Sequence, residues 1–274
     1  MSDITLTSAT RNNLLSLQNT SKLIGRTQER LATGLKVNSA IDDALAFFKA
    51  RNLNARASGL STIKDAIAGG ISVVKAATQG LEAMEGVLKS MKALAQSAAS
   101  AAESSTRAKL ASQFNELRSQ VDNLADDASF DGINLLKSAT GAFAGGSDRL
   151  TVKFNDSAEA SAVNQLVVSG VTSADFTRMV ATSALATGAV GNTNVWGQTG
   201  VAAVTGINAA IRAIDSALVT VRQSAQTFGS ASSLLSIRQD FTSNLINTLK
   251  GGASQLVNAD LNEEAANLLS LQTR

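Results

Sequence analysis

The sequence predicts a mainly α chain, an elongated antiparallel helical bundle or coiled coil with a small central β-hairpin region. Three observations predict it. None of the 274 residues is proline, and a proline inside a helix costs about 3 kcal/mol. Two long stretches, from Ile63 to Ala95 and from Ile207 to Leu256, repeat apolar residues at alternating steps of three and four. That is the spacing of a helix packed along another helix. Between them, from Gly141 to Gly206, the composition shifts to Gly, Ser, Thr, Val and Asn.

Taken in order, Met1 to Arg11 is polar, and a first helix is expected from near Asn12. Its seam is Leu14, Leu17, Ser21, Ile24, Gln28, Leu31 and Leu35. Two polar residues on the seam make it dependent on neighbours. Gly34 lies near its end. Ser39 with Asp42 reads as an N-cap and capping-box acid, opening a piece that holds Ile41, Ala44, Leu45 and Phe48. Gly59 and Ser61 suggest a break before the seam of Ile63, Ile67, Gly70, Val74, Ala77, Leu81, Met84, Leu88, Met91 and Ala95. The register passes unbroken through Gly69-Gly70, so that pair reads as a close approach of another helix. Ser97 to Thr106 reads as a turn, with Ser104, Ser105 or Thr106 as the next N-cap.

A third seam runs through Leu110, Phe114, Leu117, Val121 and Leu124 and stops at Asp126-Asp127. Asp131-Gly132 inside Phe130 to Ile133 is a turn signal, because both residues tolerate positive φ. Leu150, Val152 and Phe154 alternate with polar residues, as do Leu166 and Val168, which predicts two short paired strands. Phe176 to Thr187 reads as a short helix, and Gly188 to Gly206 as loop anchored by Trp196. The closing helix is expected from Ile207. Its seam is Ile207, Ile211, Ile214, Leu218, Val221, Ala225, Phe228, Leu235, Ile246, Leu249, Ala253 and Leu256, with polar Ser232, Gln239 and Thr242 in the middle. Gly251-Gly252 and Asn258 are expected to bend it. The seam then shifts to Val257, Leu261, Ala265 and Leu268.

Catalytic chemistry has few residues to work with. Histidine and cysteine are absent, which removes the HExxH zinc site, the imidazole base and the thiolate nucleophile. Asp42-Asp43, Asp126-Asp127 and Glu263-Glu264 are adjacent pairs, and helix neighbours point about 100° apart, too divergent for a shared acid–base task. Gly145-Gly146 lacks the spacing of a phosphate loop. Met84 and Met91 fall on the seam and read as core. No enzyme, cofactor or metal site is expected. The net charge of +2 is scattered, so no nucleic-acid partner is expected. No stretch reads as the ~20 apolar residues of a membrane span, so no membrane insertion is expected, and no signal peptide opens the chain.

Several blocks together resemble bacterial flagellin. They are Arg30 to Ala44 (RLATGLKVNSAIDDA), Gly69 to Ser72, Leu94-Ala95, Phe130 to Leu136 (FDGINLL), Phe228-Gly229, and Val257 to Leu261 (VNADL) with Glu264. The resemblance covers about the first half and the last quarter of the chain. It implies a filament subunit for motility, exported unfolded by the flagellar type III route and assembled at the tip of an extracellular flagellum. It implies that residues 1–38 form an inner-core helix and 39–140 second-layer helices. Residues 141–206 would be an exposed variable region with short strands, 207–250 a C-terminal rod helix, and 251–274 the start of a C-terminal inner-core helix. The implied partners are further copies of the chain, an export chaperone and the export apparatus, and the filament cap and hook-junction proteins. A hook–filament junction protein and a flagellin-like surface adhesin are the alternatives, the latter through Val171 to Thr205.

The resemblance also has departures. Ile41 stands where the family usually has lysine, and Phe47-Phe48 where small residues are common. Ser90, Ala93, Leu94 and Gln113 stand where some flagellins present the patch read by the innate immune receptor, so weak recognition is expected. Family members usually continue past Arg274 into one more helix. Without it, the seam of Leu14 to Leu35 is expected to lack its partner, Met1 to Lys36 to be mobile or differently packed, and polymerisation to be impaired.

Overall fold

Helix α1 (Ser8–Thr33) opens on Thr7, whose hydroxyl accepts from the Thr10 N–H at 3.4 Å. It starts at Ser8 rather than near Asn12 because that cap lies further upstream. Gly34, in the left-handed region at φ 72°, ends it and donates its N–H to the Arg30 carbonyl, a conformation glycine adopts without a Cβ penalty. The computed structural model describes residues 7–136, 149–155, 164–171, 196–197 and 201–273. The helix expected over Phe176 to Thr187 lies outside them.

The cap expected at Ser39 forms a turn instead. The Asp42 carboxylate accepts from the N–H groups of Asn38 and Ser39, but the helix starts later, at α2 (Ala44–Ser100). Asp43 caps it, accepting from the Ala46 N–H at 2.9 Å. No break occurs at Gly59 or Ser61. Ala57, Leu60 and Ile63 are buried on either side, and that burial outweighs the ~1 kcal/mol cost of a helical glycine. Helix α3 (Ser104–Asp127) has Glu103 at its N-cap without a side-chain cap bond, so Ser104 to Thr106 are helical residues rather than caps. The turn before it is held by Arg107, whose guanidinium donates to the carbonyls of Ala101 and Ala102 at 2.9 and 2.8 Å.

Strands β1 (Ser129–Phe130) and β2 (Ile133–Asn134) form a tight hairpin. Asp131 and Gly132 sit at φ 52° and 75°, the two positive values a mirror-image hairpin turn requires. Strands β3 (Arg149–Lys153) and β4 (Gln165–Ser169) pair antiparallel, with Leu150 opposite Val168 and Val152 opposite Leu166. Helix α4 (Val201–Val257) begins before Ile207, so Val201 to Gly206 are helix rather than loop. It runs unbroken through Gly251-Gly252, while the bend expected at Asn258 is present as a turn at residues 258–260 before α5 (Leu261–Gln272). Backbone pairing fixes that turn: Lys36 N–H donates to the Val257 carbonyl at 2.8 Å and Ala259 N–H to the Gly34 carbonyl at 2.9 Å.

The chain divides into two compact units, residues 1–61 with 243–274, and residues 62–242. In the second unit α2 and α4 run antiparallel. Lys92 pairs with Asp215 at 2.6 Å and Glu85 with Arg222 at 3.0 Å, so residue numbers fall on one helix as they rise on the other. Ile67, Val74, Leu81, Met84, Leu88 and Met91 of α2 are buried, as are Ile207, Ile214, Leu218, Val221, Phe228 and Leu235 of α4. The polar break of the seam has a local solution. Thr242 is buried with its hydroxyl donating to the Arg238 carbonyl at 2.8 Å, while Ser232 and Gln239 are half-buried. By length and composition one stretch of α4 is apolar enough to cross a membrane, which the sequence reading did not expect.

Gly70 shows what the glycine pair is for. A Cβ there would lie 2.8 Å from Val152 Cγ2 of β3, whereas one at Gly69 would meet nothing within 4 Å. The close neighbour is therefore first a strand, with Leu235 of α4 at 3.8 Å. We expect opposite outcomes from neighbouring substitutions. Gly69→Ala should stabilise by up to about 1 kcal/mol through helix propensity. Gly70→Ala should destabilise by roughly 1 kcal/mol, because overpacking against a stiff valine outweighs that gain. Urea midpoints of the two variants moving in the same direction would contradict this.

Candidate functional site: the assembly surfaces

In the first unit the end of α1 meets α5 antiparallel. Arg30 Nη1 lies 2.8 Å from Glu264 Oε1, and Leu35 and Asn258 form an isolated antiparallel bridge. Glu264 is buried, and Thr27 is the one buried residue of α1. Asp260 caps α5, accepting from Asn262 and Glu263 N–H groups. Glu263 and Glu264 sit in its first turn, where the helix dipole favours carboxylates. The α5 helix has 12 residues and α1 has 26. Every residue from Thr7 to Asn19 is exposed. Of the Leu14 to Leu35 seam, Ile24, Leu31 and Leu35 are half-buried, while Leu14 and Leu17 are exposed. Replacing Arg30 by Ala would leave the buried Glu264 carboxylate without its cation. We expect a loss of about 2 kcal/mol, less than for a fully buried pair because Arg30 is a third exposed. An unchanged urea midpoint would overturn it.

Large apolar side chains cluster on open faces. Leu14, Leu15, Leu17 and Leu23 lie exposed on α1, Ile41 in the turn before α2, and Leu45 and Phe48 on its first turns. Leu234, Ile237 and Phe241 form an exposed row on α4, and Leu261 and Leu269 are exposed on α5. A cleft of about 560 Å³ in the first unit is lined by Arg30, Lys36, Asp42, Asp43, Asp260, Glu263 and Glu264 among others. The backbone N–H and hydroxyl of Ser39 hold the Asp42 carboxyl below the usual carboxylate range. In the second unit, hydrogen bonds from Lys89 and then Arg222 do the same for Glu85.

The residues singled out from the sequence separate into three groups. Ile63, Ile67, Val74, Leu81, Met84, Leu88 and Met91 of α2, Phe114 and Val121 of α3, and Ile207, Ile214, Leu218, Val221, Phe228, Leu235, Ile246 and Leu249 of α4 are buried. Ile24, Leu31, Leu35, Leu110, Leu117, Leu124, Ile211 and Leu256 are half-buried, and Leu14 and Leu17 are exposed. On α3 the row that faces inward is Ala111, Phe114, Val121 and Ala125. Beyond its C-terminal end packing is tight: a Cβ at Gly80 would lie 2.6 Å from Ala128 Cβ and 2.7 Å from Leu136 Cδ1. Ser90, Ala93 and Gln113 are exposed and Leu94 half-buried. Among the described residues no group of three or more His, Cys, Asp or Glu could hold a metal ion.

A sequence model of the bacterial flagellin N-terminal helical region matches residues 4–140, half of the chain. This chain belongs to the bacterial flagellin family. Its relatives extend the match past that half. Flagellin FljO of Caulobacter vibrioides is 29% identical over 267 residues, covering 95% of this chain and 87% of the relative. Flagellin C of Rhizobium meliloti is 27% identical, covering 90% and 84%. A flagellin of Brucella melitensis is 26% identical across 100% of this chain and 92% of its own. This flagellin is a structural subunit of the extracellular flagellar filament, and its homologues are structural proteins. Sequence reasoning missed two features of its surfaces. The Arg30–Glu264 pair joins residues far apart in the chain, and neither stands in a charge pattern that marks it. The Ile41, Leu45 and Phe48 row was visible as helical spacing, but spacing does not say which face stays open.

Proposed function

We propose that the chain polymerises through its first unit, with the open half of α1 as the principal subunit contact. The observation that carries this reading is that residues 7–19 cap and lengthen a helix with no buried face. Most helical stability comes from packing of an apolar face, and a neighbouring copy would supply that packing to this stretch. Identical subunits joined by contacts that do not close on themselves build a helical array. Further partners would be an export chaperone and export apparatus that handle the unfolded chain, and cap and hook-junction proteins at the filament ends. The chain has no proline or cysteine, so neither slow isomerisation nor oxidation would delay folding at the tip. Refolded, seeded chain examined by sedimentation and electron microscopy tests the reading. Pelletable filaments are expected, and monomer at every concentration would overturn it.

The same reading bears on immune recognition. Ser90, Ala93 and Gln113 offer neutral side chains, and charge-assisted contacts are roughly twice as strong as neutral ones. Weak activation of the flagellin receptor in a reporter-cell assay is expected. Strong activation by purified chain would contradict it.

A further inference from the structure

Cysteine is absent and four methionines hold all the sulfur of the chain, so a two-electron oxidant such as hydrogen peroxide has thioethers as its soft targets. Met1 and Met179 lie outside the described residues. Met84 and Met91 are both on α2, seven residues apart and so on one face of the helix, and both are 0% exposed. Their neighbours in sequence tie α2 to α4. Glu85 pairs with Arg222 at 3.0 Å and Lys92 with Asp215 at 2.6 Å. Between those ties α4 buries Ala217, Leu218 and Val221. The buried hydroxyl on that stretch of α4, Thr220's, already donates to the Ser216 carbonyl at 3.1 Å. Methionine suits such a seam because its unbranched chain adapts to the gaps. A sulfoxide does not, since it brings a polar acceptor oxygen into an apolar seam whose hydroxyl is committed elsewhere.

We infer that Met84 and Met91 form a redox checkpoint on folding. In the unfolded chain each sulfur attacks one oxygen of hydrogen peroxide and the O–O bond breaks. The proton of the transferred hydroxyl passes to the departing oxygen, so the products are the sulfoxide and water. The thioether loses two electrons and the peroxide gains them. In the folded chain neither sulfur meets the oxidant until the α2–α4 seam opens, and core positions open only at a free energy near that of global unfolding. Folding thus protects both residues, and oxidation before folding keeps the seam from closing. The filament lies outside the cell, beyond the reducing cytosol, so the interval before folding is the vulnerable one. The lesion is reversible, because methionine sulfoxide reductases restore the thioether. The checkpoint concerns folding of the second unit and holds whether or not copies assemble through α1.

The full chain is treated with hydrogen peroxide, once folded and once in urea, and the urea sample is then freed of peroxide and refolded. Peptide mass spectrometry reads oxidation at Met84 and Met91, and circular dichroism reads the urea midpoint. Sulfoxide is expected to form at both positions at least about a hundredfold more slowly in the folded chain. The chain oxidised in urea should refold with a midpoint lowered by about 1 M or more. Reductases for the two sulfoxide epimers, added before refolding, should restore it. Met84→Leu with Met91→Leu conserves volume and should reach one midpoint with or without peroxide, which assigns the loss to these two sulfurs rather than to Met1 or Met179. Should that variant fold poorly, the reductase arm decides alone. Equal oxidation of folded and unfolded chain, an oxidised chain with an unmoved midpoint, a loss that the reductases do not reverse, or a leucine variant that loses as much as the unmodified chain would each overturn the inference.

Discussion

Replacing Leu14, Leu15 and Leu17 together by serine is expected to raise the critical concentration for polymerisation by about a hundredfold, with the monomer's helical content unchanged. Fully burying a leucine contributes about 1.5–3 kcal/mol. Each of these side chains keeps more than half its surface open in the monomer. Burying the remainder of three gives roughly 3 kcal/mol, which converts to the factor above. The monomer should be indifferent because these residues touch no core. Ultracentrifugation gives the unpelleted concentration directly. A critical concentration equal to that of the unmodified chain would mean that this face stays exposed in the polymer.

Phe114→Ala is expected to be the most destabilising single core change, at about 3–5 kcal/mol. Phe114 and Trp196 are both fully buried, with ring centroids 5.2 Å apart and planes tilted by 54°. The Trp196 carbonyl accepts from Arg107 Nε at 3.0 Å, and Arg107 also holds the end of α2. Removing the phenyl ring therefore opens a cavity beside the side chain that anchors this end of the second unit. Trp196 is the one tryptophan of the chain, so its fluorescence during urea unfolding reads the site itself. Phe114→Leu should cost less, because most of the volume remains. A midpoint unmoved by the alanine would contradict the packing described here.

Much of this architecture was legible because long helices repeat their pattern. The seams of α2 and α4 carry several turns of apolar residues each, so one misplaced residue does not move the register. The β3 and β4 pairing was legible for the analogous reason, an alternation matched to the pleat. The misses fall where one local bond decides. Asp42 or Asp43 could equally cap α2, and the choice depends on which carboxylate meets the Ala46 N–H. Of the two bends expected, Asn258 ends α4 and Gly251-Gly252 does not, a choice fixed by backbone pairing with residues 34–37. On α3 the leucines suggested the inward face, but Ala111 and Ala125 are buried beside Phe114 and Val121, while Leu110, Leu117 and Leu124 are half-buried. The assembly surfaces were half legible. The leucines of α1 stood out, while spacing alone did not say that Leu14, Leu15, Leu17 and Leu23 are exposed.

Hydrogen exchange of residues 7–19 in monomer and in polymer tests the central claim most directly. The monomer should exchange there at near-unfolded rates, since no buried face holds the helix, while the core of the second unit stays protected. In the polymer the same amides should become slow. Protection already present in the monomer, or rapid exchange persisting in the polymer, would contradict assembly through the open half of α1.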